Sequence, residues 1–237
     1  MSSISVIIPA YNEAGNLPGT IADIVPLLQK HFEDYEILVF NDASLDETGK
    51  IADAAARGNP KIQAVHNPKN MGLGYNYKTG VKMACKDYVM MVPGDNEITG
   101  SSYEGMFAAL KAGKDIVIPY TANAEIRAPM RQVLSKVYTG IINVLFGLRV
   151  RYFNGTVIHK SKVIQSVTIE TDGFAYQAEA LIKLIKRGTT YTEVPMYLKE
   201  RGYGKTKAFN FRNVFRVFKT ILHLFYQIRL RPSDGKT

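Results

Sequence analysis

Cysteine is almost absent: Cys85 is the only one in 237 residues. That excludes an internal disulfide and a thiolate-rich zinc site, and it suits a reducing compartment. The four histidines, His31, His66, His159 and His223, are scattered, with no i, i+4 pair to suggest a metal-ligand set. No long hydrophobic run is present either. The longest uncharged stretch near the middle, Val137–Leu148, is bracketed by Lys136 and Arg149, and its twelve residues fall short of the roughly 20 that a spanning helix needs. The first residues lack the basic start and longer apolar core of a secretion signal, so neither a leader nor a membrane span is expected. The fourth absence is acid: from Arg201 to Ser233 there is no Asp or Glu, while eight Lys and Arg occur there. The formal charge of +9 is therefore a property of the C-terminal end, and the rest is close to neutral.

What is present has the balance of a globular α/β protein, with 46% hydrophobic and 22% charged residues. Short Val/Ile-rich runs at Ile4–Ile8, Glu36–Phe40, Ile62–His66, Tyr88–Val92 and Asp115–Ile118 read as strands. Amphipathic stretches at Leu17–His31, Asp46–Arg57, Gly74–Lys86 and Ser101–Ala112 separate them. This alternation predicts βαβ units and a mostly parallel sheet flanked by helices. The second half is less regular, with helices expected at Met130–Phe146 and Gly173–Arg187 and strands at Gly155–His159 and Thr190–Val194. No repeat or linker divides residues 1–208, which are expected to form one domain.

Parallel sheets bind ligands beyond the carboxyl ends of their strands. Three polar clusters fall there: Pro9–Glu13 after the first strand, Asn41–Asp46 after the second and Pro93–Glu97 after the fourth. Their convergence on one edge is the structural reason to expect a site. At the far end, Phe209–Leu230 carries Phe211, Val214, Phe215, Phe218, Ile221, Leu222, Phe225 and Ile228 at three- and four-residue steps, with Arg212, Arg216 and Lys219 opposite. Residues 209–231 are expected to form a basic amphipathic helix lying in a membrane interface; the plainer alternative is a helix packed on the domain or on another subunit.

The segments Val6-Ile7-Ile8-Pro9-Ala10-Tyr11-Asn12-Glu13, Asn41-Asp42-Ala43-Ser44-Leu45-Asp46 and Asn70-Met71-Gly72-Leu73-Gly74 together resemble the family 2 glycosyltransferases. Phe153-Asn154-Gly155, Gly173-Phe174 with Glu179, Glu193-Val194-Pro195 and Arg201-Gly202-Tyr203-Gly204-Lys205-Thr206-Lys207 narrow the likeness to the branch that makes polyprenyl- or dolichyl-phosphate sugars. The resemblance covers residues 4–207 and implies a GT-A-type, Rossmann-like sheet.

It also implies roles, position by position. Pro9, Tyr11 and Glu13 match residues that contact the nucleotide base, and Asp42 matches an acid that bonds to base or ribose, although Asn41 replaces the acid usual before it. Ser44 and Glu47 are assigned to a capping box. The family's Asp-X-Asp, often followed two residues later by Gln, appears here as Pro93-Gly94-Asp95-Asn96-Glu97, so Asp95 and Glu97 become the expected ligands of Mg2+ or Mn2+. Arg127 and Arg131 match holders of the acceptor phosphate, which a guanidinium grips with paired hydrogen bonds. Arg201 and Lys207, on a basic loop with two glycines, are expected to close over phosphates, and Glu179 matches a site carboxylate on the acceptor side.

The activity so implied is inverting transfer of a sugar from a GDP- or UDP-sugar to a polyprenyl phosphate, with Asp95, Arg131 and Lys207 as the catalytic set. The enzyme would sit peripherally on the cytoplasmic, inner face of a membrane and bind no nucleic acid. Two alternatives stand beside it: a hydroxyl acceptor on a glycolipid or polysaccharide, which would need Asp172 or Glu179 as a base, and a non-catalytic nucleotide-sugar-binding protein.

Overall fold

The computed structural model describes residues 2–200, 202–203, 220–226 and 228. Seven strands, β1 (Ser3–Ala10), β2 (Asp34–Asn41), β3 (Ile62–His66), β4 (Tyr88–Met91), β5 (Ile116–Thr121), β6 (Ile158–Lys160) and β7 (Tyr191–Met196), form a single sheet in the order β3-β2-β1-β4-β6-β5-β7. Pairings within β3-β2-β1-β4 and between β5 and β7 are parallel; β6 runs antiparallel to both β4 and β5. The longer helices are α1 (Leu17–His31), α2 (Thr48–Gly58), α3 (Leu73–Met83), α4 (Gly100–Ala109), α5 (Pro129–Phe146) and, after the short α6 (Ser161–Gln165), α7 (Tyr176–Lys186).

The strands read as near-continuous apolar runs because the sheet is covered on both faces. On β1, Ile4, Val6 and Ile8 join one core with Ile24 and Leu28 of α1 and Met106 and Phe107 of α4. Ile7, pointing the other way, joins a second core with Tyr77 of α3, Ile142 and Phe146 of α5 and Leu181 of α7. Strand order reverses at β1, which lies between β2 and β4, and the loops leaving β1 and β4 meet at this edge before running into α1 and α4 on one face of the sheet. Among the described residues, three that are not glycine hold left-handed backbone, Asn12 (φ 54°), Ala43 (φ 58°) and Asn96 (φ 55°). They follow β1, β2 and β4 respectively, so the strain of the fold collects at the expected edge.

One buried group sits far from that edge in function. His159 of β6 is fully buried, its Nδ1 has no hydrogen-bond partner, and its Nε2 lies 3.3 Å from the Gln177 amide. Burial disfavours the imidazolium and pushes the pKa down to about 3. The native state thus holds His159 neutral while the unfolded chain protonates it near 6.5. The stability this contributes is complete above pH 6.5 and is lost as pH falls toward 3, with a slope of up to about 1.4 kcal/mol per pH unit. His159→Leu is expected to flatten that acid limb in denaturant melts taken from pH 7 to pH 4, even if its neutral-pH stability drops because the Gln177 amide loses its neighbour.

Candidate active site

The first two loops of the edge are stitched together. The backbone N–H of Asn12 donates to Ser44 Oγ (3.0 Å), and Leu45 N–H donates to Asn12 Oδ1 (2.7 Å). Glu13 N–H donates to Thr48 Oγ1 (2.8 Å) and Ala14 N–H to Asp46 Oδ2 (3.1 Å). The expected capping box is therefore corrected: Ser44 serves the neighbouring loop, and Asp46 takes the first-turn N–H of Thr48 (3.0 Å). Asn16 stands at the α1 N-cap position without capping it, and its amide donates instead to Glu13 Oε2 (2.7 Å) and to the Tyr203 carbonyl (3.1 Å). Tyr11 and Glu13 stay half-buried at this rim.

Asp42 is buried at the end of β2 and gathers the segment before α3. Its Oδ1 accepts from Asn67 Nδ2 (2.7 Å) and Met71 N–H (2.8 Å), and its Oδ2 from Gly72 N–H (3.0 Å). Asn41 faces sideways, its amide 3.0 Å from His66 Nδ1, whose Nε2 lies 2.9 Å from Asp53. Of the Asn41-Asp42 pair, only Asp42 holds the 67–72 segment with its side chain; Asn41 does so through its carbonyl, which accepts from Asn67 N–H (3.0 Å).

The third loop leaves β4 over β1. A side chain at Gly94 would lie 3.1 Å from the Pro9 carbonyl, so the Pro93-Gly94 step seats this loop directly on the exit of β1. Asn96, left-handed, then turns the chain so that Asp95 and Glu97 occupy one loop, with Glu97 N–H 3.3 Å from Asp95 Oδ1. Opposite them lie Arg127 and, in the first turn of α5, Arg131. Burial lowers the Arg131 pKa, and the charge of Arg127 lowers it further, while Glu97, Tyr152 and Asp95 act in the other direction. Two guanidiniums and two carboxylates therefore share one electrostatic neighbourhood. Arg127 Nη1 donates to Tyr152 Oη (2.9 Å), its guanidinium lies 5.9 Å from that ring's centre, and its buried Nε has no partner. A pair of like charges held together in this way suits an anion.

Residues 5–159 match the model of the family described as Glycosyl transferase family 2. The chain belongs to that family. A polyprenol monophosphomannose synthase from Mycolicibacterium smegmatis is 29% identical over 214 residues, covering 85% of this chain and 79% of that protein. An undecaprenyl-phosphate mannosyltransferase from Micrococcus luteus is 25% identical over 218 residues, covering 86% of each. Among solved structures, glucosyl-3-phosphoglycerate synthase from Mycobacterium tuberculosis, crystallised with Mn2+, UDP and glucosyl-3-phosphoglycerate, superposes with a TM-score of 0.71 at 16% identity. That match covers 99% of this chain and 82% of the other, and at such identity it establishes the shared GT-A sheet.

Within this family 2 framework, Glu179 requires a correction. It is 1% exposed on the first turn of α7 and accepts from Glu170 N–H (2.8 Å), Thr171 N–H (3.0 Å) and Lys183 Nζ (2.7 Å). Its carboxylate is enclosed and fully engaged, so it does not join Arg127 and Arg131 in an acceptor set. Arg201 and Lys207 lie outside the described residues. The segment leading to them does not: Lys199 N–H donates to the Glu97 carbonyl (2.7 Å) and Thr99 N–H to the Tyr197 carbonyl (3.1 Å). The basic loop is thus launched from a strand-like pairing with the acidic one.

Most of 209–231 is also outside the described residues, but 220–225 is helical. There Ile221 and Leu224 are buried in the core, and Phe225 packs edge-on to Phe146 of α5 at 6.2 Å. Ile221, Leu224 and Phe225 face the domain, whereas Leu222 and Tyr226 are exposed. A further exposed apolar surface lies on α5, where Met130, Val133, Leu134, Val137, Ile141 and Val144 share one face and Val144 is 82% exposed. The three- and four-residue spacing of these residues was visible in the sequence; that they stay uncovered was not. Tyr152, Asn67 and His66 were also missed, because nothing in their local pattern marks a partner distant in the chain.

Proposed function

We propose that this family 2 glycosyltransferase transfers a hexose, with inversion, from a nucleotide-sugar to a polyprenyl phosphate at a membrane surface. The observation that carries this is the pairing of Arg131 with Arg127 across from Asp95 and Glu97. It supplies one place for a departing diphosphate and another for an anionic nucleophile. An acceptor phosphate is already charged at neutral pH, so attack on the anomeric carbon needs positioning and charge stabilisation more than a base. The engagement of Glu179 with backbone removes one of the two candidate bases that a hydroxyl acceptor would require. The names of the two mannosyltransferase relatives support the same acceptor class.

Among the described residues no cluster of three or more His, Cys, Asp or Glu could hold a metal by itself. Two carboxylates on one loop fit a hard divalent ion that takes its remaining ligands from substrate phosphates and water, as Mg2+ commonly does. Asp95 and Glu97 would hold that ion, which would supply neutralisation of the diphosphate charge as it develops. Pro9, Tyr11, Glu13 and Asp42 form the donor side of the cleft, and Arg127 and Arg131 the acceptor side. Arg201 and Lys207 would add positive charge from the loop beyond Lys199.

No helix among the described residues is long and apolar enough to cross a membrane. The apolar face of α5 begins beside Arg127 and Arg131, so a bilayer edge against it would present lipid phosphate where the guanidiniums sit. Residues 209–231 with their cations would add to that contact, on the cytoplasmic, inner face. The test is turnover of radiolabelled GDP-mannose, GDP-glucose and UDP-glucose with undecaprenyl phosphate in vesicles, with and without Mn2+. Lipid-extractable label that is stable to alkali but released by mild acid is expected. Label appearing only on added glycolipid hydroxyls would overturn the acceptor assignment.

A further inference from the structure

The donor half of the cleft rests on a segment whose one side chain named so far is Asp172, a candidate base for a hydroxyl acceptor. Residues 170–173 lie across the start of α3. Gly74 N–H donates to the Asp172 carbonyl (2.9 Å), and a Cβ at Gly74 would come within 2.7 Å of both the Thr171 carbonyl oxygen and the Asp172 carbonyl carbon. Gly72 holds φ +94°, and a Cβ there would lie 2.8 Å from the Asp172 carbonyl oxygen. The fit is backbone against backbone, possible only because both positions are glycine. Gly72 is also the residue whose N–H donates to Asp42 Oδ2.

Two side chains hold this segment in place. Glu179 receives the N–H groups of residues 170 and 171 from below, with Lys183 balancing its buried charge. Lys78 of α3 pairs with the Asp172 carboxylate at 2.6 Å and donates to the Glu170 carbonyl at 3.2 Å. A continuous chain of contacts therefore runs from Glu179, through the backbone of 170–173 and Gly72-Leu73-Gly74, to Asp42.

We propose that Glu179 is a positioning residue for the donor nucleotide, acting through segment 170–173 on the Gly72–Gly74 turn and so on Asp42. This rests on assigning the rim around Asp42 to the donor. A buried carboxylate accepting two backbone N–H groups is suited to the task because it fixes two successive peptide units at once. In Glu179→Gln the amide end can no longer accept, so one N–H loses its partner and Lys183 loses its counter-charge. Lys78→Met releases the same segment through its other polar side-chain partner, at a position that is 22% accessible.

The experiment is calorimetric titration of GDP and of UDP, each with Mn2+, into wild type, Glu179→Gln, Glu179→Asp and Lys78→Met, followed by steady-state kinetics with whichever donor turns over. Glu179→Gln is expected to weaken nucleotide binding and raise the donor KM about tenfold, roughly the effect of one lost charge-assisted bond. Its kcat should stay within about twofold of wild type and its pH–rate profile should be unchanged. Glu179→Asp, which keeps a carboxylate, should recover part of the loss, and Lys78→Met should shift the donor KM in the same direction. If Glu179→Gln does not fold, Lys78→Met carries the test alone, and an unchanged donor KM in it overturns the proposal. A fall in kcat with intact nucleotide affinity, or a lost limb of the pH profile, would place Glu179 in the chemistry and overturn it too. Wild-type protein that binds neither nucleotide overturns the donor-site assignment itself; wild-type binding matched by Glu179→Gln overturns the present proposal only.

Discussion

Asp95→Asn is expected to lower kcat/KM by about three orders of magnitude, the largest effect of any single substitution in the chain. The loop geometry explains the size. Pro93 stands where a first acid is usual, so Asp95 has no carboxylate two residues before it to share the work. Gly94 brings the loop against the Pro9 carbonyl, and left-handed Asn96 turns the chain toward Glu97. An amide at 95 keeps the shape of this turn but removes half of the acidic charge on the loop. Stabilisation of charge on a departing diphosphate is typically worth several kcal/mol in the transition state, which matches a thousandfold loss. Glu97→Gln should cost less, about 10- to 100-fold, since Glu97 replaces a position where the family tolerates an amide. Divalent-ion titration of activity provides the check: Asp95→Asn should require far more Mn2+ for half-maximal rate, whereas a loss under tenfold would remove Asp95 from the site. Pro93→Asp, restoring the missing acid, should shift that half-maximal concentration downward.

Arg131→Met should reduce kcat/KM for the lipid acceptor by about 100- to 1000-fold while leaving the donor KM near wild type. Arg131 is partly buried beside another guanidinium, and both features disfavour its charge. A dianionic phosphate arriving there relieves the repulsion between the two arginines as well as forming bonds, so losing one of them removes more than a single contact. Arg131→Lys should recover only part of the loss, because an ammonium cannot present the paired donors of a guanidinium. Arg127→Met is expected to be milder, since one edge of Arg127 is already committed to Tyr152 at 2.9 Å. Initial rates with the acceptor varied at saturating donor would show this; an equal rise in both KM values would instead mean that Arg131 shapes the cleft as a whole.

The two predictions stand on features of different legibility. The acids of the Asp95 loop, the Pro9–Glu13 turn and Asp42 were all found from their place after apolar runs, since a strand's end can be read from where its Val/Ile pattern stops. Arg127 and Arg131 were found through family likeness alone, and only the folded chain sets Tyr152 beside them. Glu179 was misplaced for a related reason. Its helix was evident from periodicity, but both Glu170 and Thr171 reach it by a loop whose path no local pattern encodes.

By itself, the sequence determined the type and order of nearly every element, the edge at which three polar loops meet, and membership of family 2. The first two are consequences of periodicity and spacing, which act within a few residues; the third rests on the likeness of the motifs to those of the family. Tertiary structure alone decided that β6 runs antiparallel, that the 220–225 helix covers Phe146 while the apolar face of α5 stays open, and that Glu179 braces backbone instead of facing substrate. Each of these depends on which of several compatible surfaces becomes the neighbour. That choice is made by burial summed over the whole sheet, where a side chain distant along the chain counts as much as one adjacent to it.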